Sequence, residues 1–361
     1  MTGVLCRAIK AIRTFWMILK NPEAQTYYPE EERKNRFRIF CDNLLWLFKY
    51  HEINHYYYLY GFDRKKETAR DSFIPKRKIF TIQAKTNGPV TIGKRKIFYG
   101  CLLQDKFVFS QYLQSLNLPL PRMLGLGDPK LIYWLNDKQR KPLESFCEKG
   151  DIDVFVKPIL GDSGKGVLSV IFKNNILKVN GQEVVFSELS HFLSDKYVIQ
   201  ERIEQSSELN TLCTDTVASL RIITAWKDGR PQYVSSLLTV GMKQNTMSNW
   251  FAGGVTVGID CHTGRLNKYA FYKPEFGRKI THHPDTGIAF EGFTLPFYKE
   301  AVELALKAHY YFYGTHSIGW DMAITPSGPV FIEGNNLWGM GSLQANDHKF
   351  VRNYLASLPK K

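Results

Sequence analysis

No run of apolar residues in this chain reaches the roughly 18 to 20 that a helix needs to span a bilayer. The longest candidate, Val4 to Leu19, is interrupted by Arg7, Lys10 and Arg13. Cations threaded through the apolar positions also break the order of a signal peptide, in which charge comes first and a small-residue cleavage site last. Cysteine is sparse: Cys6, Cys41, Cys101, Cys147, Cys213 and Cys261 are scattered, and no CxxC pair offers a zinc site or a redox couple. The nine histidines, His282-His283 among them, show no HExxH or comparable spacing, so they read as core or surface residues rather than ligands. These absences predict a reduced, cytoplasmic chain.

What is present describes an ordinary globular protein. Its 361 residues are 44% hydrophobic and 23% charged, which excludes disorder, collagen and a small disulfide scaffold and predicts two or three packed units. The net charge of +14 is uneven. Residues 1–100 hold 20 Lys and Arg against 9 Asp and Glu, leaving 28 against 25 for the rest. Nucleic acid is not the expected partner of this basic third, because no nucleic-acid motif accompanies the charge. The charge reads as a scaffold-packed helix with solvated lysines, as a contact with an anionic membrane surface that would make the chain peripheral on the inner face, or as a site for an anionic glycan acceptor. Residues 4–20 set Leu5, Ile9, Ile12, Trp16 and Leu19 at helical spacing with cations largely on other faces.

Further along, the spacing predicts an aromatic-rich helix from about 30 to 60. Two basic strand-like pieces follow, Ile74-Pro-Lys-Arg-Lys-Ile-Phe80 and Ile92-Gly-Lys-Arg-Lys-Ile-Phe98, around the turn Asn87-Gly88-Pro89. A boundary is placed near residue 100. Beyond it come a helix at Lys106 to Leu116, strands from Asp153 to Asp260, a helix at about Phe297 to Tyr311 and a hairpin, Gly319 to Asn335. Helices and strands mix without regular βαβ alternation, which favours α+β. Three regions result: a helical, basic 1–99, then 100–200 with a lysine strand and glycine-rich loop, then 201–361 with the hairpin.

The loop lies in Val154-Phe-Val-Lys157-Pro-Ile-Leu-Gly161-Asp-Ser163-Gly164-Lys165-Gly166-Val. A Walker A loop needs GxxxxGK[ST] opening a helix, but Gly166 and a strand follow Lys165 here, and a dinucleotide fingerprint fails for the same reason. Gly161-Asp-Ser163-Gly164 also imitates a serine-protease loop without that architecture. A hairpin remains whose bare N–H groups can close over phosphates beside Lys157 and Lys165, with a plain tight turn as the competing reading. Gln200-Glu201-Arg-Ile-Glu204 ends an apolar strand and could present a purine edge with amides and a ribose with a carboxylate. Arg221 sits inside an apolar strand, where a cation needs an anion, either a protein carboxylate or a ligand phosphate. In the hairpin, folding about Ser327 sets Asp321 opposite Glu333, with Asn335 two residues on and on the same face. Such carboxylates repel unless a cation lies between them, and hard oxygen ligands suit magnesium with bound phosphates. A surface hairpin with charged ends is the alternative. In Asn249-Trp-Phe-Ala-Gly253-Gly254, the paired glycines permit close approach to a substrate, or form an ordinary bulge.

In this order, and with Ser219-Leu-Arg221, Phe251-Ala-Gly-Gly254 and Gly319-Trp-Asp321…Glu333-Gly-Asn335, residues 100–355 resemble the ATP-grasp superfamily, in particular its sugar-transfer-associated branch. The resemblance implies a fold of two α+β subdomains gripping ATP. It places Lys157 on phosphate, with Gly161, Ser163, Gly164, Lys165 and Gly166 covering it. Gln200 and Glu201 would line adenine, Glu204 the ribose, and Arg221 would hold the γ-phosphate or acyl phosphate. Asp321, Glu333 and Asn335 would bind magnesium. Lys106 matches an early lysine of such proteins. The implied activity is an ADP-forming ligase that joins a carboxylate to an amine in surface-polysaccharide assembly, with a nucleotide- or lipid-linked sugar as a partner. A sugar kinase and a non-catalytic scaffold for glycosyltransferases are the rivals.

Overall fold

The computed structural model describes residues 13–66, 72–148, 150–161, 164–243, 245, 247–347 and 349–359. Two antiparallel sheets organise them. One has eight strands drawn from residues 123–201, with Tyr197–Glu201 at its centre between Met123–Gly127 and Ile152–Pro158. The other has seven, drawn from residues 219–335, with Ser219–Lys227 between Arg230–Val240 and Ser317–Thr325, and Gly328–Asn335 at the edge.

The period of two along these strands decides what faces the site. In the eight-stranded sheet Val154, Val156, Tyr197 and Ile199 point into an apolar cluster with Ile132, Trp134 and Phe146. Phe155 and Lys157, paired with Gln200 and Val198, therefore point the other way. In the seven-stranded sheet Leu220, Ile222, Trp320, Met322 and Ile324 are buried under the helices Lys106–Ser115 and Tyr298–Tyr311. Each such side chain contributes roughly 1.5–3 kcal/mol by leaving water. Alternation then puts Ser219, Arg221 and Asp321 on the opposite face. The first helix starts where Asp105 accepts bonds from the Phe107 and Val108 amides, both at 2.9 Å.

The N-terminal third differs from its sequence reading in several places. Residues 13–19 are helical, and the remainder of the expected 4–20 helix lies outside the described residues. The second helix runs only over Arg36–Tyr50. It is capped by Asn35 Oδ1 on the Arg38 amide and stopped at His51 in the left-handed region. The tyrosines after it form turns, and Tyr57, Tyr58 and Tyr60 are core residues. Ile74–Phe80 is not a strand, because a helix covers Lys76–Thr86. The second basic piece is a tight hairpin, Val90–Ile92 with Arg95–Ile97. This third packs on the seven-stranded sheet: Tyr27, Ile39 and Trp46 share a cluster with Trp250 and Phe271, and Ile74 and Ile79 share one with Trp338 and Phe350. No described helix is long and apolar enough to cross a membrane.

Candidate functional site

Register assembles the charged centre. Arg221 pairs across the sheet with Asp321, and Asp321 pairs in turn with Glu333, so the three stand in a row over three strands. The hairpin closes more tightly than a fold about Ser327, at Thr325 and Gly328, and a bulge at Ile332 restores the Asp321–Glu333 pair. The partner that Arg221 needs is a protein carboxylate. Its Nε donates to Asp321 Oδ1 at 2.6 Å and its Nη2 to Oδ2 at 2.5 Å, a bidentate pair with Asp321 buried. Asn335 Nδ2 donates to Asp321 Oδ2 and to Glu333 Oε1, each at 3.2 Å. Burial raises the Asp321 carboxyl above its ordinary range, and the charge of Glu333 adds to this against the pull of Arg221. Glu333 is half-buried, yet it is held below its ordinary range by the hydrogen bond with Asp321, by Lys106, Asn335 and Arg221.

The eight-stranded sheet faces this row with Lys157 and Gln200. Lys157 Nζ donates to Gln200 Oε1 at 2.7 Å, and Gln200 Nε2 donates to the Pro121 carbonyl at 3.2 Å. Burial, with Lys106 nearby, lowers the Lys157 ammonium to about 8 despite the pull of Glu333. Lys106 Nζ donates to the Gly161 carbonyl at 2.9 Å and so fastens the start of the glycine loop. Gly164 has φ 71°, and a Cβ there would collide with Met247 Sδ, so the bare backbone lets this loop close against the 241–250 segment.

Between the two faces lies a cavity of about 770 Å³. Six of its lining residues are cationic (Lys76, Lys106, Lys157, Lys165, Arg202, Arg221) and three acidic (Asp215, Asp321, Glu333), a balance that suits a polyanion. Gly161, Gly164, Gln200 and Asn335 also line it. Ser163 lies outside the described residues. Glu201 pairs opposite Val154, on the other face of its strand, and its carboxylate accepts from the Arg122 amide at 3.0 Å and Nε at 3.1 Å. Glu204 is exposed, and neither it nor Gly166 is among the lining. Gly253 and Gly254 stand behind the lining: Gly254 N donates to the Asn249 carbonyl at 2.9 Å, closing the turn that carries Asn249, Trp250 and Phe251 into the cavity. Lys76, Phe80 and Arg202 line the cavity without having been singled out from sequence. The alternating apolar pattern around Phe155 could have flagged Arg202, whose guanidinium lies 4.6 Å from that ring.

A family model for sugar-transfer associated ATP-grasp proteins matches residues 94–358. The chain belongs to this family. Its fold is the α+β ATP-grasp fold, with helices and antiparallel sheets around the cleft. Among solved structures, D-alanyl-alanine synthetase A from Vibrio cholerae matches at 12% identity and TM-score 0.39, covering 71% of this chain and 64% of that one. D-alanine-D-alanine ligase from Helicobacter pylori matches at 15% and 0.40, covering 72% and 62%. N5-carboxyaminoimidazole ribonucleotide synthetase from Thermotoga maritima matches at 15% and 0.35, covering 70% and 49%. The chain thus spans between half and two thirds of the length of these structures. No curated protein matches it.

In this ATP-grasp protein the hairpin can be tested for its fit to magnesium. Two carboxylate oxygens converge on one Asn335 nitrogen at 3.2 Å each, so the two acids already share a point of attraction. With the amide turned over, its oxygen would face that point and complete a set of three hard oxygen donors, the chemistry that suits magnesium. The residues fit the ion.

Proposed function

We propose that this sugar-transfer associated ATP-grasp protein is an ATP- and magnesium-dependent carboxylate–amine ligase that works through an acyl phosphate. The observation that carries the reading is the Arg221–Asp321–Glu333 row set across one cavity from Lys157. The substrate carboxylate oxygen attacks the γ-phosphorus of ATP, the bond to the bridging oxygen breaks, and ADP leaves. The amine nitrogen then attacks the acyl carbon, phosphate departs, and the nitrogen loses a proton.

Most of these residues have a part in this scheme. Lys157 and Lys165 balance phosphate charge, the Gly161–Gly166 loop excludes water above it, and Gln200 forms the nucleotide edge, whereas the Glu201 carboxylate, held by Arg122, and the exposed Glu204 stay outside the cavity. Arg221 is aimed by its two bonds to Asp321, which engage Nε and Nη2 and leave Nη1 for a γ-phosphate or acyl-phosphate oxygen. Asp321, Glu333 and Asn335 would hold magnesium, which when bound would supply charge neutralisation near the phosphates. Gly253 and Gly254 support the acceptor end through Trp250 and Phe251. The setting that the family name suggests is surface-polysaccharide assembly at the cytoplasmic side, with an amino acid joined to a uronic or amino sugar carried on a nucleotide or lipid.

The expected products of ATP turnover are ADP and free phosphate, and hydroxylamine in place of the amine should trap a hydroxamate. Panels of amino acids and sugar carboxylates with ATP and magnesium, read by phosphate release and mass spectrometry, test this. ADP with a phosphorylated sugar would make the protein a kinase, AMP with pyrophosphate would discard both, and nucleotide binding without turnover would leave a scaffold.

A further inference from the structure

The helix Arg36–Tyr50 buries Ile39 and Trp46 but is apolar on its outer face as well. Its only acid, Asp42, is buried, where it accepts from Lys34 Nζ and Tyr57 OH at 2.9 Å each. Asn43 is buried beside it and donates to the Ile39 carbonyl at 2.9 Å. The outward face carries Phe37, Leu45 and Phe48, which are 75%, 65% and 70% exposed. At 100° per residue, Phe37 and Phe48 stand about 20° apart with Leu45 on their flank, a continuous apolar stripe on the wrong side of the helix for a core. Phe15 packs edge-on against Phe40 of the same helix at 5.7 Å and brings up the 13–19 helix, which exposes Trp16 at 65%.

Single exposed apolar residues need no explanation, but a cluster of aromatics does. Among the described residues six large apolar side chains are at least 65% exposed, and four of them are Trp16, Phe37, Leu45 and Phe48. The charge beside them has one sign. The exposed charges of the helix are Arg36, Arg38 and Lys49, and Arg13 and Lys20 bracket the 13–19 helix. Among the described residues the exposed charges of these two helices are all cationic, and the nearby acids Glu23 and Glu32 are paired with Arg33 and Lys65, so the phenylalanines, leucine and tryptophan are complementary to a layer whose surface is anionic and whose interior is apolar.

We propose that this face, centred on Phe37, Leu45 and Phe48, docks the protein on anionic phospholipid bilayers. The inner side of the docking helix belongs to the cluster that contains Trp250, and Trp250 lines the cavity. The docking helix is thus joined to the cavity wall by a relay of aromatic rings, Trp46 to Phe62 to Tyr60 to Tyr56 to Trp250. The proposal concerns a surface only and stands whether or not the protein proves to be a ligase.

The test is co-sedimentation of the full chain with vesicles of phosphatidylcholine alone and of phosphatidylcholine with about 30% phosphatidylglycerol, at about 0.1 M and 0.5 M salt. Binding is expected only to the anionic vesicles and should weaken at high salt. The triple variant Phe37→Gln, Leu45→Gln, Phe48→Gln should bind at least tenfold less while keeping the wild-type melting temperature, because these side chains support no core. Arg36→Gln with Lys49→Gln should lose most of the salt dependence. A triple variant that binds like wild type would overturn the proposal. So would wild-type protein that ignores both vesicles but forms, in light scattering, a dimer that the triple variant abolishes, since the face would then belong to a second copy.

Discussion

Glu333→Gln is expected to lower the rate of ADP formation by about a thousandfold or more while the nucleotide-free protein melts within a few degrees of wild type. Asp321→Asn is expected to lose the same activity and, in addition, stability. The two carboxylates are neighbours with different obligations. Glu333 meets Asn335 and a like charge, so a neutral amide in its place keeps a hydrogen bond and removes repulsion. What Glu333→Gln gives up is a carboxyl that titrates below its ordinary value. The stability that charge contributes is complete above the unfolded value of about 4.5 and is lost as pH falls through the lower folded one. Asp321, in contrast, is the bidentate counter-charge of Arg221, and its removal strands a half-buried guanidinium at a cost of about 2–4 kcal/mol. Thermal melting and phosphate release on both variants decide the matter. Near-normal activity in either ends the metal assignment, and an Asp321→Asn protein that melts at or above wild type would show that Arg221 has its anion elsewhere.

Lys157→Met is the second large effect, and its two readouts move in opposite directions. Affinity for ATP should fall by about a hundredfold, because a phosphate would lose a partly buried cation of the cavity. Stability without nucleotide should rise by about 1–2 kcal/mol at pH 7, after discounting partial solvent access and the lost bond to Gln200. The sign follows from the ammonium titrating at about 8 when folded and 10.5 when not. A depressed folded value means that stability is fully present above 10.5 and is lost as pH falls through 8. The methionine gain is therefore full below about pH 8 and fades to nothing toward pH 10.5. Melting curves at pH 7, 9 and 10.5 with nucleotide titrations check both halves, and a gain that does not shrink with rising pH would mean that Lys157 is not held charged against its burial.

Much of the site was legible because its elements are short in sequence. Asp321, Glu333 and Asn335 lie on one hairpin, where register follows from the turn, and even the unforeseen bulge at Ile332 left the pair in place. The glycine loop likewise keeps Lys157 and Lys165 within one strand and turn of each other. The identity of the Arg221 partner was not legible, since Asp321 lies 100 positions away and only the order of strands in the finished sheet sets them side by side. The helix at Lys76–Thr86 was misread for a similar reason. Its local pattern alternates, and its cap is remote: Glu52 Oε1 and Oε2 accept from the Lys76 and Arg77 amides at 2.9 and 2.7 Å. No neighbouring residue announces a helix whose end is closed from 24 positions upstream.

The dependence of the cavity on residues outside the family match bears on how such a chain can change over generations. Residues 94–358 carry the match, yet Lys76 and Phe80 wall the cavity, and Ile74 and Ile79 interlock with Trp338 and Phe350. Asn87 Nδ2 ties the two parts further by donating to the Ser317 and Asn336 carbonyls at 2.9 and 2.5 Å. A leading segment joined in this way cannot be exchanged among relatives like a cassette, because a foreign segment would have to match both an apolar interlock and a wall of the chamber. Inheritance should therefore transmit the leading third and the matched region together, and a recombinant that mixes them should fail first as a folded protein and only then as a catalyst.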